Sequence, residues 1–152
     1  MLGRVQKFAA LDGQRQKLFV EAFFLLGQCR FALQRKPFAE RVSHLQMHRE
    51  AITQPPQEPQ AVKLARVIGW AVSTAANHTP WESTCLVQVL AAQRMLQKRG
   101  IAGVFYIGAT TTPGEGETPG LLAHAWLKCS DEFITGEKGH QAYTVVSAFS
   151  WR

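Results

Sequence analysis

The sequence predicts one α+β unit, in which several helices come first and a further helix packs on a small antiparallel sheet. The chain has 152 residues, which is the size of about one domain. Its composition, with 46% hydrophobic and 18% charged residues, is globular and excludes wholesale disorder. Helical patterns come first, and about four strand patterns follow the last of them. This order favours α+β over a parallel sheet.

The first long helix is predicted from Gln14 to about Lys36. Asp12 precedes the pattern as an N-cap, and Pro37 ends it. Apolar residues recur at helical spacing and form one stripe with three neighbours beside it: Leu18, Ala22, Leu25, Cys29 and Ala32, with Phe19, Phe23 and Leu26.

Two more helices are predicted on either side of a proline-rich segment. The second helix is more basic and covers Phe38 to about Ala51. Residues 53–60 (TQPPQEPQ) break regular structure and are interpreted as a linker. The third helix covers residues 61–75. We therefore expect a basic helical N-terminal region over 1–52, a linker over 53–60 and a core over 61–152, which together form one compact unit.

The second half of the chain combines a helix with strands. Thr79, Pro80 and Glu82 form a capping box with proline at the first helical position, which predicts a helix that ends at Gly100. Residues 110–120 (TTTPGEGETPG) have no large apolar side chain and are predicted to form a flexible loop. Strands are predicted at 104–107, 121–129, 132–135 and 143–149, the middle two as a hairpin.

Positive charge is concentrated in the N-terminal third. The formal net charge is +6, and residues 1–52 carry nine basic and four acidic side chains, or +5. Such a region suits an acidic peptide or an acidic protein partner, and a solvated basic face would carry the same charge. No nucleic-acid-binding motif accompanies the charge, so no nucleic-acid partner is expected.

The cysteine count and the hydropathy pattern bear on the compartment. Three cysteines, an odd number, do not make a disulfide framework and favour a reducing cytoplasm. The most apolar stretch, Leu18–Cys29, contains Glu21 and is far shorter than the about 20 residues of a spanning helix. We therefore expect a cytoplasmic protein without a membrane partner.

Cys85 and His124 are the strongest candidates for chemistry. Cys85 lies near the start of the predicted helix, where unpaired N–H groups and the helix dipole stabilise a thiolate or an oxyanion. Alternation places Ala123 and Ala125 toward the core, and His124 shares the other strand face with Trp126. A thiol at a helix N-terminus facing an imidazole on a strand is the arrangement of a nucleophilic pair. A small core cysteine and a packed histidine are the competing interpretation.

The remaining cysteines and histidines are predicted to be structural or isolated. Cys29 lies among apolar helix residues, and Cys129 lies on the inward face of a strand. His44 and His48 have the spacing of metal ligands, but no further motif completes a site. Neither a metal nor another cofactor is expected.

Several segments also carry a family resemblance. The motifs are WESTCL at 81–86, AAQRML at 91–96, RGI at 99–101, LLAHAWL at 121–127 and YTVV at 143–146. With these motifs the region from about 60 to 150 resembles the transglutaminase-like cysteine proteases that process lasso-peptide precursors. The basic N-terminal third resembles the stand-alone members, which lack their own precursor-recognition domain. The resemblance implies a papain/transglutaminase-like core.

The resemblance also implies a reaction and a set of partners. In this family a Cys-His-acid triad cuts a ribosomally made precursor between its leader and its core. A small recognition protein binds the leader, and an ATP-dependent cyclase closes the macrolactam ring, so ATP belongs to that partner. Carried over to this sequence, Cys85 is the nucleophile and His124 is the general base and acid.

The third member of the triad is where this sequence departs from the family. The position of the usual aspartate is Gly136 here, and Glu137 is adjacent. With a two-residue turn at 130–131, Glu137 is predicted to pair across from His124 on the same face. Asp131 lies at the hairpin tip, about six residues or roughly 20 Å away. Glu137 is favoured, while Asp131 and a backbone carbonyl remain open.

Two other functions are compatible with the same sequence. A transglutaminase-type acyl transferase would use the same nucleophile with an amine as the acceptor. A non-catalytic scaffold would dock precursor and cyclase through the basic helices and leave Cys85 unreactive. The product mass separates hydrolysis from transfer, and the reactivity of Cys85 separates both from the scaffold.

Overall fold

Helices precede a five-stranded antiparallel sheet, so the predicted α+β class is confirmed. The structure is a computed structural model and describes residues 2–112 and 120–152, so residues 113–119 of the predicted loop lie outside it. The helices are α1 (Leu2–Ala9), α2 (Gly13–Arg35), α3 (Phe38–Arg41), α4 (Pro59–Ala76) and α5 (Cys85–Lys98), with a 3-10 turn at His140–Ala142. The strands are β1 (Gln46–His48), β2 (Gly103–Thr112), β3 (Gly120–Cys129), β4 (Glu132–Thr135) and β5 (Thr144–Trp151).

The sheet separates a large hydrophobic core from a smaller one. Its strand order is β1-β5-β2-β3-β4, and each neighbouring pair is antiparallel. Helices α2, α4 and α5 cover one face, where Leu26, Ile68, Leu96, Phe105 and Leu127 are fully buried. The other face carries the smaller core: Val104, Tyr106, Trp126 and Ala148, with Ile52, Phe133, Tyr143 and Val145 packed against them.

Helix α2 forms where the sequence predicts it. The Asp12 carboxylate accepts a hydrogen bond of 2.7 Å from the Arg15 N–H, which satisfies one of the free donors of the first turn. The helix ends before Pro37, which cannot continue it. The short helix α1 was not predicted, and it packs on α2 through the rings of Phe8 and Phe19, 5.5 Å apart.

The helix predicted from Phe38 to Ala51 is wrong beyond its first turn. Only α3 is helical, and the chain then enters β1, which pairs with β5. The ring of Phe38 packs edge-on against Phe149, and the His48 Nε2 lies 2.9 Å from the Ser150 hydroxyl. Pairing at the sheet edge therefore overrides the local helical preference. Since His48 is in a strand, its spacing from His44 no longer places both on one helix face.

The predicted start of the last helix is also wrong. The helix begins at Cys85, and its N-cap is Thr84, whose hydroxyl accepts from the Val87 N–H. The Thr79 hydroxyl instead bonds to the Ala76 carbonyl and lies 2.9 Å from the Ser83 hydroxyl, so it closes the turn after α4. The predicted helix end is confirmed, because Gly100 has a φ of 71°.

Helix α4 approaches the sheet unusually closely at one glycine. A Cβ at Gly69 would lie 2.3 Å from the Ile134 carbonyl oxygen in β4. The segment before α4 is also attached to the sheet. The Gln54 side-chain amide donates to the Lys128 carbonyl at 3.2 Å, and that of Gln57 donates to the Ala102 carbonyl. These contacts bind the predicted linker to the core.

An ion pair joins α2 to the far end of α5. The Arg99 guanidinium donates to both carboxylate oxygens of Glu21, at 2.6 and 3.1 Å, and Lys98 adds a longer contact. Both partners are mostly buried, with side-chain exposures of 21% for Glu21 and 24% for Arg99. The hydrogen bond from Arg99 lowers the pKa of Glu21 below its ordinary value.

Glu21→Gln should therefore lower the free energy of unfolding by about 1 kcal/mol at neutral pH. Because the folded pKa is lowered, this stabilisation is complete above the unfolded pKa and is lost as the pH falls through the folded value. The difference between Glu21→Gln and wild type should accordingly shrink in acid. Urea unfolding at several pH values measures it, with exposed Glu50→Gln as the control. A difference that does not depend on pH would contradict the role of the ion pair.

Candidate active site

Cys85 is the first residue of helix α5 and is partly exposed. Its side chain packs against the edge of the large core. Thr84 satisfies the N–H of Val87, while the N–H groups of Cys85 and Leu86 have no partner within the helix. Together with the helix dipole, these two donors can hold a negatively charged oxygen beside the thiol.

The other two cysteines are enclosed. Cys29 is 1% exposed and Cys129 is 0% exposed, which agrees with the core positions predicted for them. Burial raises the pKa of Cys29 to about 11 and also raises the pKa of Cys129. All three thiols are free, and Cys85 is the one of the three that is partly exposed to solvent.

His124 lies in β3 with its imidazole fixed by three neighbours. Its Nε2 is 2.7 Å from the Gly136 carbonyl oxygen. Because a carbonyl only accepts, Nε2 carries the proton and Nδ1 presents its lone pair. The ring lies 5.7 Å from that of Trp126 and 5.2 Å from that of Tyr143. Gly108 faces His124 across the β2–β3 pair, and a Cβ there would lie 2.8 Å from the Trp126 ring.

Cys85 and His124 belong to two elements that pack together, helix α5 and strand β3. Helix α5 has 14 residues, which places Cys85 about 20 Å from Lys98. Strand β2 begins four residues after Arg99 and contacts α5. From Gly103 to Gly108, the partner of His124, the strand spans about 17 Å. Helix α5 also contacts β3, so Cys85 and His124 lie on neighbouring elements.

No hydrogen bond joins these two side chains within the described residues. Cys85 packs on the helix side of the sheet, whereas His124 lies with Trp126 and Tyr143 on the other side. In unliganded enzymes, catalytic hydrogen bonds are often long and tighten only when the substrate binds. The pairing of Cys85 with His124 remains a prediction.

Neither candidate carboxylate hydrogen-bonds to His124 in the described residues. A register shift between Leu127 and Lys128 moves the β3–β4 pairing by one residue and β4 ends at Thr135, so Glu137 does not pair across from His124. Its side chain is exposed, and its carbonyl accepts from His140. Asp131 is exposed at the hairpin tip, as expected. Of the three acceptors that the sequence left open, the backbone carbonyl is the one in contact.

The backbone at Gly136 explains why this position carries no carboxylate. Its φ is 77°, in the left-handed region that favours glycine. A Cβ there would lie 2.4 Å from the Ala125 carbonyl oxygen and 2.8 Å from the Trp126 Cα. At the position where the resemblance predicts an aspartate, the acceptor for His124 is therefore a main-chain carbonyl.

The chain matches the family model described as Transglutaminase-like superfamily over residues 23–148. It belongs to this superfamily. The family includes cysteine peptidases and acyltransferases, and the match crosses both the helical region and the sheet. No curated protein and no solved structure matches the chain significantly. Among the described residues, no helix is both long and apolar enough to cross a membrane.

Two parts of the environment of His124 are not predicted from the sequence. Tyr143 is predicted only as the start of a strand and part of a motif, although its ring packs on His124. Gly108 is not predicted to have a role. The sequence signals are an aromatic residue at the start of a strand, Tyr143, and a glycine inside a strand, Gly108. Neither indicates a contact with His124 until the pairing of β2 with β3 and β5 is known.

Alkylation should separate the three cysteines. In the native protein, iodoacetamide should modify Cys85 at least about tenfold faster than Cys29 or Cys129, because burial shields those two and raises their pKa. Peptide mapping by mass spectrometry measures the rates, and the unfolded protein provides the reference in which all three react. Faster labelling of Cys29 or Cys129 would contradict the assigned burial.

Gly136→Ala should destabilise the protein by about 2 kcal/mol or more, because it combines left-handed strain with a clash against Ala125. Gly139→Ala is the matched control. Gly139 has a φ of 82° but no atom within 4 Å of a Cβ, so only the strain of about 1 kcal/mol applies. Urea unfolding compares the two variants. Equal losses would show that the turn at Gly136 is not tightly packed.

Proposed function

We propose that this protein is a cysteine peptidase that removes the leader from a ribosomally made lasso-peptide precursor. The observation that carries the proposal is the chemistry on two elements that pack together, α5 and β3. Cys85 opens a helix, and His124 is oriented with a free Nδ1. Membership of the transglutaminase-like superfamily supports cysteine chemistry. The motifs around both residues support the lasso-peptide specificity.

The proposed reaction proceeds through an acyl-enzyme. His124 Nδ1 takes the thiol proton, and Cys85 Sγ attacks the scissile carbonyl carbon, whose oxygen turns toward the N–H groups at the start of α5. The C–N bond breaks, and the core peptide leaves with the proton from His124 on its new amine. A water molecule, deprotonated by His124, then attacks the thioester. The leader is released as a carboxylic acid, and the thiol is restored.

The Gly136 carbonyl has a defined part in this scheme. It fixes the proton on Nε2 and so leaves Nδ1 to act as the base. A neutral carbonyl stabilises the imidazolium less than a carboxylate would. The scheme requires Nδ1 to lie within hydrogen-bond reach of Cys85 Sγ when the precursor is bound.

The partners follow from the same proposal. A small recognition protein binds the leader and presents the precursor, and an ATP-dependent cyclase takes the released core peptide. The peptidase itself uses no cofactor in this scheme. The basic N-terminal region, with +5 of the chain's net +6 charge, supports docking of an acidic leader or recognition protein.

Cleavage of a precursor presented by its recognition protein tests the function. Cys85→Ala should lower the rate at least about a thousandfold and His124→Ala about a hundredfold, while both variants keep their unfolding midpoints. Mass spectrometry of the products distinguishes the reactions, since hydrolysis adds water and acyl transfer adds the amine. Substantial cleavage by Cys85→Ala would refute the proposal, and an amine adduct would favour the acyl transferase.

The exposed carboxylates provide the internal control. Glu137→Gln and Asp131→Asn should each retain the wild-type rate within about twofold, because the acceptor for His124 is a main-chain carbonyl. A large loss in Glu137→Gln, with the fold intact, would restore Glu137 as the third member of the triad. Cys85→Ala should still bind the precursor whether the protein is a peptidase or a non-catalytic scaffold. Cleavage, and not binding, therefore distinguishes these two functions.

A further inference from the structure

An aromatic groove of about 600 Å³ lies on the outer side of α2. The aromatic groove is lined by Phe23, Phe24 and Phe31 of α2 and by Trp81, which lies between α4 and α5. Phe24 is 65% exposed and Phe31 is 59% exposed. Large aromatic side chains exposed around a concave surface are typical of sites that bind peptides and proteins.

Trp81 forms one wall and links the groove to the candidate active site. Its indole packs on Gly27, where a Cβ would lie 3.1 Å from the ring, and on Phe23 at 5.3 Å between centroids. Trp81 precedes Cys85 by four residues, so the chain between them spans at most about 14 Å. A peptide that enters the active site has the groove within a few residues of its path.

Three cations border one end of the groove. Arg35 and Lys36 end α2, and Arg41 lies in α3. None of the three forms an ion pair among the described residues, whereas Arg15, Arg66 and Arg99 do. Glu40 is the acidic neighbour in this segment and does not line the groove. The cations are therefore available to carboxylates from outside the chain.

The dimensions fit a short peptide. From Phe24 to Arg35 the helix rises about 17 Å, which equals about five residues of extended chain. Apolar side chains of such a segment would fill the aromatic part, and its acidic side chains would reach Arg35, Lys36 and Arg41.

We propose that the aromatic groove binds an acidic, amphipathic segment of the peptide substrate outside the scissile bond. That the bound segment belongs to the substrate rests on the proposed peptidase function. Its acidic and apolar chemistry rests on the groove alone. The segment positions the precursor so that the bond to be cut reaches Cys85.

Peptide selection tests the chemistry without requiring cleavage. A displayed library of random peptides about 12 residues long is selected on the full chain carrying Cys85→Ala. The enriched peptides should combine Asp or Glu with large apolar residues. A fluorescein-labelled peptide from the selection should bind about tenfold or more weakly to Phe31→Ser and to Arg35→Glu, as measured by anisotropy. The loss with Arg35→Glu should diminish at high salt.

Matched controls place the effect in the groove. Val146→Ser replaces an apolar residue that is 52% exposed on β5, and Lys63→Glu replaces an exposed cation on α4. Both should bind the selected peptide like the parent protein. Selected peptides without acidic and apolar enrichment, or equal losses in the control variants, would overturn the proposal. So would a wild-type dimer that Phe31→Ser converts to a monomer, because the groove would then join two copies of this chain.

The cleavage assay separates this inference from the function. Phe31→Ser should raise KM for the precursor about tenfold and leave kcat unchanged, since the groove lies outside the reacting groups. An unchanged KM, with cleavage intact, would remove the groove from substrate binding. If no peptide is cleaved while the selected peptides bind as expected, the peptidase function fails and the groove remains a peptide site.

Discussion

Burial of helix α5 between α2, α4 and the sheet is the constraint on which the site depends. One side of the helix packs against the strands and the others against the two long helices, so that most of its residues are buried. Both of its ends are tied to α2: Glu21 pairs with Arg99 beyond the C-terminus, and Gly27 packs on Trp81 before the N-terminus. Cys85 is thereby carried at a fixed end of a rigid element, with its thiol at the margin of the core.

The histidine is positioned by a second constraint, which arises in the backbone. The turn after β4 requires the left-handed conformation of Gly136, and this turn directs the Gly136 carbonyl at His124 Nε2. The same close packing against Ala125 leaves no room for a side chain. His124 therefore has an acceptor for its Nε2 proton although neither Glu137 nor Asp131 contacts it in the described residues. The tautomer that results leaves Nδ1 as the basic nitrogen.

Much of this arrangement is encoded in local patterns. Helix α2, with Asp12 and Pro37 at its ends, and the hairpin of β3 and β4 follow from periodicity and capping alone. Features that depend on distant contacts do not. Residues 46–48 become a strand because β5 offers an open edge, and Glu137 lies outside the sheet because β4 ends at Thr135, before the left-handed Gly136. Phe24 and Phe31, which lie outside the predicted apolar stripe of α2, were the sequence signal for the groove.

The central claim is that Cys85 and His124 act together, and the rate of Cys85 alkylation measures this most directly. At neutral pH, His124→Ala should slow the reaction of Cys85 with iodoacetamide by about tenfold or more, while Glu137→Gln leaves it unchanged. This result would show that the imidazole activates the thiol and that Glu137 is not needed for it. An alkylation rate that is the same in wild type and His124→Ala would contradict the pair.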